Sequence, residues 1–534
     1  MGASDAFGTN SALARICPSA ALPAVQAAIS ADAANKRVGK QLLQQLPWLE
    51  KLQARVRSYA LLLVIYTTFW PTLAATLLLS WWLQPTTLPA PKHNRSSSSS
   101  TAGPTRIAAI SNGTSQHNTA QLGSSSKPGT VMVTGGKMTK ALHVCRHLAA
   151  AGWRVVLVET HKYWHVGSRF SSSVAAFHTV PVPEDHPEAY VQALLGIAEA
   201  EGVTMFIPVS SPIASLYDAL ASEALAVQAQ AQGWQFRSWS LPAATTALLD
   251  HKGSFSDHAA ALGLLVPQHH VVTSPQQLQQ LNSEKVLGAG RRFVLKSIAY
   301  DSVHRADLML LPCSAAKLAA YLARPDISIT QQCPWILQEY IQGREYSCYS
   351  LAHLGRLVAH ADTAAALSNL NYKYEGHPAI RQWVEAFVQR TNASGQLCFD
   401  FIESAKDGRL YCIECNPRTS SVITEFHDSS QLAAAFASPS DVHQTIIPLP
   451  HSRPIYWWWN EVARLAASPW SYAPTFLSVI GGGVDGVFTP ADPWPFITLH
   501  YLQVPLLLVG NMLRGNPWKK VDLCIGKVAE LYGD

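Results

Sequence analysis

Between residues 59 and 83 the chain carries no charged side chain. A stretch of about 25 apolar residues is long enough to cross a hydrocarbon core of roughly 30 Å, even with Pro71 in its middle. Tyr59, Tyr66, Trp81 and Trp82 suit an interfacial aromatic belt, so the pattern predicts a membrane-spanning helix over 58–84. Periodicity then disappears from 85 to 128, where Ser, Thr, Gly and Asn dominate and Ser96 to Ser100 are consecutive serines, as in a flexible tether. It returns with Val131-Met132-Val133, a helical stretch to about Ala151 and Arg154-Val155-Val156-Leu157-Val158-Glu159, a strand, turn, helix, strand unit. A third strand, Met205-Phe206-Ile207-Pro208-Val209, brings Ser210 and Ser211 to the same carboxyl edge.

Further on, Leu249-Asp250-His251-Lys252 opens a helix with Phe255, Ala259 and Leu262 at helical spacing, which ends at Gly263 before Pro267. Arg292-Phe293-Val294-Leu295-Lys296-Ser297 reads as a strand ending in lysine. Trp335 to Ile341 reads as a buried strand, broken at Gly343 and resumed with Glu345-Tyr346-Ser347. Cys398-Phe399-Asp400-Phe401-Ile402 and Leu410-Tyr411-Cys412-Ile413-Glu414-Cys415-Asn416 form a hairpin around Ala405-Lys406-Asp407-Gly408. After Pro450 come Tyr456-Trp457-Trp458-Trp459 and an apolar run over 496–512, interrupted by His500, Gln503 and Pro505, too short and broken for a spanning helix. The chain thus divides into an extension at 1–57, the helix at 58–84, the linker at 85–128, a parallel α/β domain at 129–245, a second region at 246–450 and an aromatic-rich extension at 451–534.

Composition narrows the classes of function. With 48% hydrophobic and 14% charged residues, the chain buries several cores. A net charge of +5 without a dense basic block gives no footprint for nucleic acid, and none is expected as a partner. Nine scattered cysteines read as reduced thiols. Cys412 and Cys415 make a CxxC, but residues three apart on a strand point to opposite faces and close on no ion. Cys145 and Cys313 lack any neighbouring motif that would activate them as nucleophiles. Residues 1–57 are rich in Ala, Ser and Gln, as in a plastid transit peptide or a disordered extension.

The hairpin carries the most chemistry. Alternation places Cys412, Glu414 and Asn416 on one strand face with Asp400 beside them, and Asp400 lies in an apolar run where a bare carboxylate is costly without a cation. Hard oxygens of this kind are what Mg2+ takes alongside phosphates, with Mn2+ as the alternative ion. Lys252 and Lys296, each at the end of an apolar element, are expected to grip phosphates. Glu339, Tyr340 and Ile341 form a hinge whose backbone groups pair with adenine, and Glu345 is placed to hold ribose hydroxyls.

In the order lysine, lysine, hinge, Asp400, Glu414-Cys415-Asn416-Pro417-Arg418, the chain resembles the ATP-grasp superfamily. Gly135-Gly136-Lys137-Met138-Thr139-Lys140, Val158-Glu159-Thr160-His161-Lys162-Tyr163-Trp164, Leu295-Lys296-Ser297-Ile298-Ala299-Tyr300-Asp301-Ser302-Val303 and Ile413 to Thr419 look like the mycosporine-glycine synthetase family, over about residues 130 to 530. The resemblance implies an α/β fold, α+β in its ATP-binding part, with ATP-grasp architecture behind an N-terminal parallel-sheet domain. It implies a ligase that joins glycine to 4-deoxygadusol, a cyclohexenone, with ATP converted to ADP and phosphate through a phosphorylated ring oxygen. Lys252, Lys296 and Arg418 would neutralise the transferred phosphoryl group, and Asp400, Glu414 and Asn416 would hold Mg2+. Where the superfamily covers the phosphates with a glycine-rich loop, this chain has hydroxyls at Ser297 and Ser302. Residues 361–374 match least well and would line the acceptor pocket.

Other assignments stay open on the residues alone. Gly135, Gly136 and Lys137 offer an anion or substrate site at a helix N-terminus but lack the spacing of a dinucleotide fingerprint. His161 either binds the ring, accepts a proton or is structural. Arg305 is placed to take the glycine carboxylate. The aromatic tail is expected to pack on the ATP-binding domain. Lys40, Lys51, Arg55 and Arg57 before the span mildly favour an inward N-terminus, whereas ATP and free thiols require a cytosolic or stromal catalytic part. A reversed span or a segment lying in the interface resolves that conflict, and glycosylation at the sequons of Asn94 and Asn112 reports on it. Pathway enzymes are expected as further partners. A carboxylate-amine ligase working through an acyl phosphate and a silent membrane-anchored nucleotide-binding scaffold are the alternative functions.

Overall fold

The charge-free stretch folds as part of one helix, α1 (Trp48–Leu83), 36 residues long. The computed structural model describes residues 25–30, 41, 43–44, 46–83, 128–288, 290–298, 307–364 and 371–530. Most of the extension, the linker with both sequons, and Ser302 and Arg305 lie outside the described residues.

Val131 and Val133 are buried on one side of β1 (Thr130–Val133) and Met132 on the other, so this strand is covered on both faces. It lies in an all-parallel sheet of order β3-β2-β1-β4-β5, with β2 (Arg154–Thr160), β3 (Ala176–Val180), β4 (Val203–Ile207) and β5 (Arg237–Ser238). The strand, turn, helix, strand reading is met by β1, α2 (Thr139–Ala150) and β2. Strand β3 was not foreseen, so Met205 and its neighbours belong to the fourth strand. Helices α3 (Pro187–Glu201) and α4 (Ser215–Gln232) cover the face opposite α2. Strand order reverses between β1 and β4, which opens a crevice at their carboxyl ends.

The expected single helix through Lys252 is two. Helix α5 (Ala243–Asp250) stops at Asp250, and α6 (Lys252–Ala261) begins after His251, whose ring accepts the Ser254 N–H at 3.1 Å as an N-cap. Two antiparallel sheets follow. One has the order β6-β9-β7-β8, from β6 (His269–Val272), β7 (Phe293–Ser297), β8 (Met309–Leu311) and β9 (Trp335–Glu339). The other has the order β11-β10-β12-β13, from β10 (Gly343–His353), β11 (Arg356–Ala364), β12 (Gly395–Ser404) and β13 (Leu410–Asn416). Helix α7 (Pro378–Thr391) backs the second sheet, with the Trp383 ring 5.1 Å from Phe399 and 5.3 Å from Phe401. An N-terminal parallel domain followed by two lobes is the arrangement expected from the sequence.

The C-terminal region holds a short parallel pair, β14 (Ile455–Tyr456) and β15 (Val484–Asp485), helices α8 (Trp458–Ala467), α9 (Pro469–Gly482) and α10 (Trp494–Arg514), and a hairpin, β16 (Trp518–Asp522) and β17 (Lys527–Glu530). Its polar anchors lie on the second region, as expected, through paired backbone bonds between Ile455 and Tyr372, the Ser452 hydroxyl on the Glu425 carbonyl and Asp428, and Cys524 beside Ser421, and also on the N-terminal domain, which was not expected. The reason is polar burial on α2. The His143 Nε2 lies 2.7 Å from the Gly486 carbonyl, and Arg146 donates to Asp492 at 3.0 Å and to the Val487 carbonyl at 2.8 Å, partners that α2 cannot provide itself.

The run over 496–512, read as too broken to span, folds as the continuous helix α10, accommodating its interruption in a π-helical turn at Leu499–Gln503. Helices α1 and α10 are both long and apolar enough to cross a membrane. They also pack on each other. The Tyr501 hydroxyl donates to the Thr68 carbonyl at 3.2 Å, Phe69 and Tyr501 meet edge to face at 5.1 Å, and the Trp518 indole donates to Ser58 at 2.8 Å beneath the Arg57 guanidinium. Leu73 joins the same cluster. These contacts run from residue 57 to 73, about 24 Å of helix, and leave only about 15 Å beyond them at 1.5 Å per residue.

Candidate functional site

The hairpin strands pair so that Asp400 faces Glu414, but the register slips between Asp400 and Phe401, where Ile413 is the extra residue. This bulge has two effects. It turns Cys412 into the same core as Cys415, so the expected single face of Cys412, Glu414 and Asn416 holds only for the last two. It also frees the Ile413 carbonyl to accept the Gln338 amide N–H at 2.9 Å. Asp400 is half-buried rather than buried, because Phe399 and Phe401 fill the core on the opposite face.

Four of the expected residues converge around Glu414. The Lys252 ammonium, at the first turn of α6, stands 3.6 Å from its carboxylate. The Asn416 amide N–H2 reaches Asp400 at 3.3 Å and Glu414 at 3.4 Å, and Ser347 donates to the other Asp400 oxygen at 2.6 Å. Arg418 donates to the Asn416 side-chain oxygen and, at 2.7 Å, to Asp250. Lys296 comes from the other sheet and donates to Gln338 Oε1 at 3.0 Å, so Gln338, only 2% exposed, ties the second lysine to the strand of Glu414. Glu345 projects from the same face of β10 as Ser347, and Ser297 ends β7 next to Lys296. Gln338, Asp250 and Ser347 were missed by sequence reasoning, since only tertiary packing brings them here.

The charges are balanced within the site. Burial lowers the Lys296 pKa from its ordinary value, Glu414 opposes this and Lys252 adds to it. Burial also acts against the Arg418 charge, yet Asp250 and Glu414 outweigh it and leave the guanidinium pKa raised. The hinge is less open than expected, because the Glu339 and Tyr340 N–H groups donate to the Gln268 and Arg292 carbonyls at 2.7 and 2.8 Å, while Ile341 follows in the connection to β10. Among the described residues, no three His, Cys, Asp or Glu side chains are grouped to chelate an ion alone. Two carboxylates held together by an amide fit Mg2+, which completes its octahedron with phosphate oxygens and water. Cys145 is buried with its pKa raised to about 12, and burial likewise raises Cys313, so neither is an activated nucleophile.

A cavity of about 90 Å³ occupies the crevice of the parallel sheet. Gly135, Lys137, Ser210 and Ser211 line it as expected, whereas Gly136 and His161 do not. Gly136 packs on Leu157, and His161 is exposed with its Nδ1 2.9 Å from the Thr179 hydroxyl. Gly135 is required there, since it has φ +74° and any Cβ would lie 1.8 Å from the Val209 carbonyl oxygen. The cavity's unforeseen centre is Asp218, fully buried, which accepts from Tyr190 at 2.6 Å, Thr134 at 3.3 Å and Ser210. Burial raises its pKa to about 6 despite these bonds.

No family model and no curated protein matches the chain. Solved structures similar to it include the ADP complex of PurK, an N5-carboxyaminoimidazole ribonucleotide synthetase, at TM-score 0.46 and 14% identity over 64% of this chain and 85% of that one. The biotin carboxylase domain of Hydrogenobacter thermophilus 2-oxoglutarate carboxylase, with MgADP and bicarbonate, gives 0.44 and 13% over 59% and 71%. An L-amino acid ligase from Bacillus licheniformis gives 0.39 and 14% over 58% and 70%.

Replacing Gln338 by Leu removes the hydrogen-bond partner of both Lys296 and Ile413. Titration calorimetry of the variant should show MgATP affinity weakened about tenfold or more, with unchanged affinity assigning Gln338 to packing alone.

The Asp218 pKa sets a second expectation. A raised folded value means that its contribution to stability is fully present below the unfolded value of 3.8 and is lost as pH rises through about 6, on the order of 3 kcal/mol. Denaturant unfolding at pH 4 to 7 should show wild type losing stability relative to Asp218→Asn across that window, and parallel curves would refute the assignment.

Proposed function

We propose that the chain is an ATP-dependent, C–N bond-forming ligase that joins glycine to 4-deoxygadusol, giving mycosporine-glycine, ADP and phosphate. The observation that carries this reading is the meeting of Lys252, Asp400, Glu414, Asn416 and Arg418 in one cleft, with Lys296 tied to it through Gln338. The ring specificity rests on the family resemblance of the sequence.

Phosphoryl transfer requires in-line positioning and neutralisation of oxygen charge more than covalent help from the protein. Lys252 and Lys296 hold the transferred group from opposite lobes, and Arg418, fixed by Asp250, keeps Asn416 in place. Bound at Asp400, Glu414 and Asn416, Mg2+ supplies charge neutralisation along the phosphates. The γ-phosphorus bonds to the enolate oxygen, the enol proton having gone to solvent, as its bond to the β-phosphate oxygen breaks and ADP departs. The glycine amine then bonds to the ring carbon, the carbon–oxygen bond to phosphate breaks, and phosphate and an amine proton leave.

Incubation with MgATP, glycine and the cyclohexenone should yield a new ultraviolet chromophore with one ADP released per product. ADP release stimulated only by carboxylic acids would instead establish the acyl-phosphate ligase, and MgATP binding without turnover would establish the scaffold. Asp400→Asn and Glu414→Gln remove charge at near-constant shape and should lower kcat by about 10²-fold or more. Unfolding of either variant would assign these carboxylates to structure.

Membrane attachment in this reading is in-plane. Docked along α10, α1 has too short a free end to cross roughly 30 Å alone, and Trp70, Trp81 and Trp82 on α1 and Trp470 on α9 are exposed for the interface. Expression in cells with a glycosylating secretory pathway should leave Asn94 and Asn112 unmodified while the protein still pellets with membranes. Glycan on either residue would require a crossing.

A further inference from the structure

We propose that the cavity at the carboxyl edge of the parallel sheet binds the amino acid as a zwitterion, and that the C-terminal hairpin completes this site through Lys527. The inference deepens the ligase reading and rests on it for the identity of the second substrate. Its geometry stands separately. The lining combines cationic Lys137, Lys162 and Lys527 with anionic Glu159, Glu184 and Asp218, an equal set of opposite charges that suits a ligand carrying both signs.

Size points the same way. At roughly 10–15 Å³ per water, a cavity of about 90 Å³ holds about six to nine water-sized positions, enough for a small amino acid and too few for a substituted six-membered ring. The location is that of ligands in open parallel sheets, outside the strand ends where the order reverses. It also adjoins the nucleotide cleft. The Pro208 carbonyl, next to the lining residue Val209, accepts the hydroxyl of Thr419 at 3.2 Å, and Thr419 follows Arg418.

The hairpin is seated on the cavity by specific contacts. Thr139 donates through its N–H and its hydroxyl to the Cys524 carbonyl at 3.1 and 3.0 Å. Gln503 donates to the Gly526 carbonyl at 2.7 Å. A side chain at Gly526, which has φ +62°, would lie 1.8 Å from the Lys137 carbonyl oxygen, so glycine lets the turn rest on the loop that follows β1. Ile525 and Lys527 are thereby held in the cavity wall, with Lys527 6% exposed. Glu159 accepts the Lys137 N–H at 2.8 Å and the Thr160 N–H at 2.7 Å, which fixes its carboxylate in the opposite wall.

The test is saturation-transfer NMR on the full chain with glycine, glycinamide and acetate as probes, beside calorimetry with MgATP. Glycine should give a signal that glycinamide and acetate, each lacking one charge, do not match. Lys527→Met and Glu159→Gln should each reduce the glycine signal at least threefold while MgATP affinity stays within twofold. Lys162→Met, at the exposed rim, should reduce it as well, and serves as the variant that gives up an exposed ammonium over the Tyr163 ring and no buried charge. Equal glycine signals in all three variants, equal binding of the singly charged probes, or displacement of glycine by the cyclohexenone alone would overturn the proposal. Loss of MgATP binding in wild type with glycine binding intact would sink the nucleotide reading and leave this site standing.

Discussion

One buried amide decides whether the two antiparallel lobes present a site at all. Gln338 accepts from Lys296 on its own sheet and donates to the Ile413 carbonyl on the other, and Ile413 can accept only because the bulge leaves it outside the regular ladder. Without the bulge, β13 would pair through its length with β12, and the carbonyl would be engaged there. Without Gln338, a half-buried lysine and a carbonyl would face each other across the lobes unpaired, at a cost of about 1–3 kcal/mol for each such group that is fully buried. The convergence of Lys252 on Glu414, and of Asn416 on both carboxylates, depends on lobes registered in this way.

Local patterns made much of this legible. The hairpin, the lysine-ending strand and the first strand, turn, helix, strand unit are governed by periodicity and turn chemistry within a dozen or so residues, and the structure has all of them. What sequence reasoning lost is non-local or lies beneath its resolution. A one-residue bulge leaves no mark on an alternating pattern, so Cys412 was placed on the wrong face. The break at His251 is a cap made by a ring nitrogen, for which no common N-cap residue stood as a signal. Ala176-Phe177-His178-Thr179-Val180 has strand alternation, and its reading as β3 was available but short. Asp218 sits in the first turn of α4, where an aspartate is ordinarily a solvated charge that complements the helix dipole.

Asp218 also shows how buried polar groups organise the N-terminal domain. Its carboxylate draws a hydroxyl from the loop after β1, another from the loop after β4 and a third from α3, so three connections around the crevice are fixed to one side chain. Such a hub requires every partner to be present, since an unpaired buried carboxylate is costly. The C-terminal region satisfies a second polar group in the same manner, with Asp492 receiving Arg146, Ser171 and Ser172. The extension is therefore part of the N-terminal domain's own polar accounting rather than an appendage to it.

The same extension joins the two features that sequence treated as unrelated, the apolar helix and the cavity at the carboxyl edge of the sheet. In the hairpin, Trp518 at the start of β16 is held by Ser58 and Arg57 of α1, whereas the turn and the first residue of β17 rest on the cavity. A two-stranded hairpin has little stability of its own, so its position is set by what it touches at both ends. Helix α1 in turn gains polar partners for Arg57 and Ser58 that an isolated apolar helix lacks. Fixing the hairpin fixes the cavity's lysine wall, and the hairpin is fixed in part by the helix. That arrangement gives α1 a structural purpose within the fold itself.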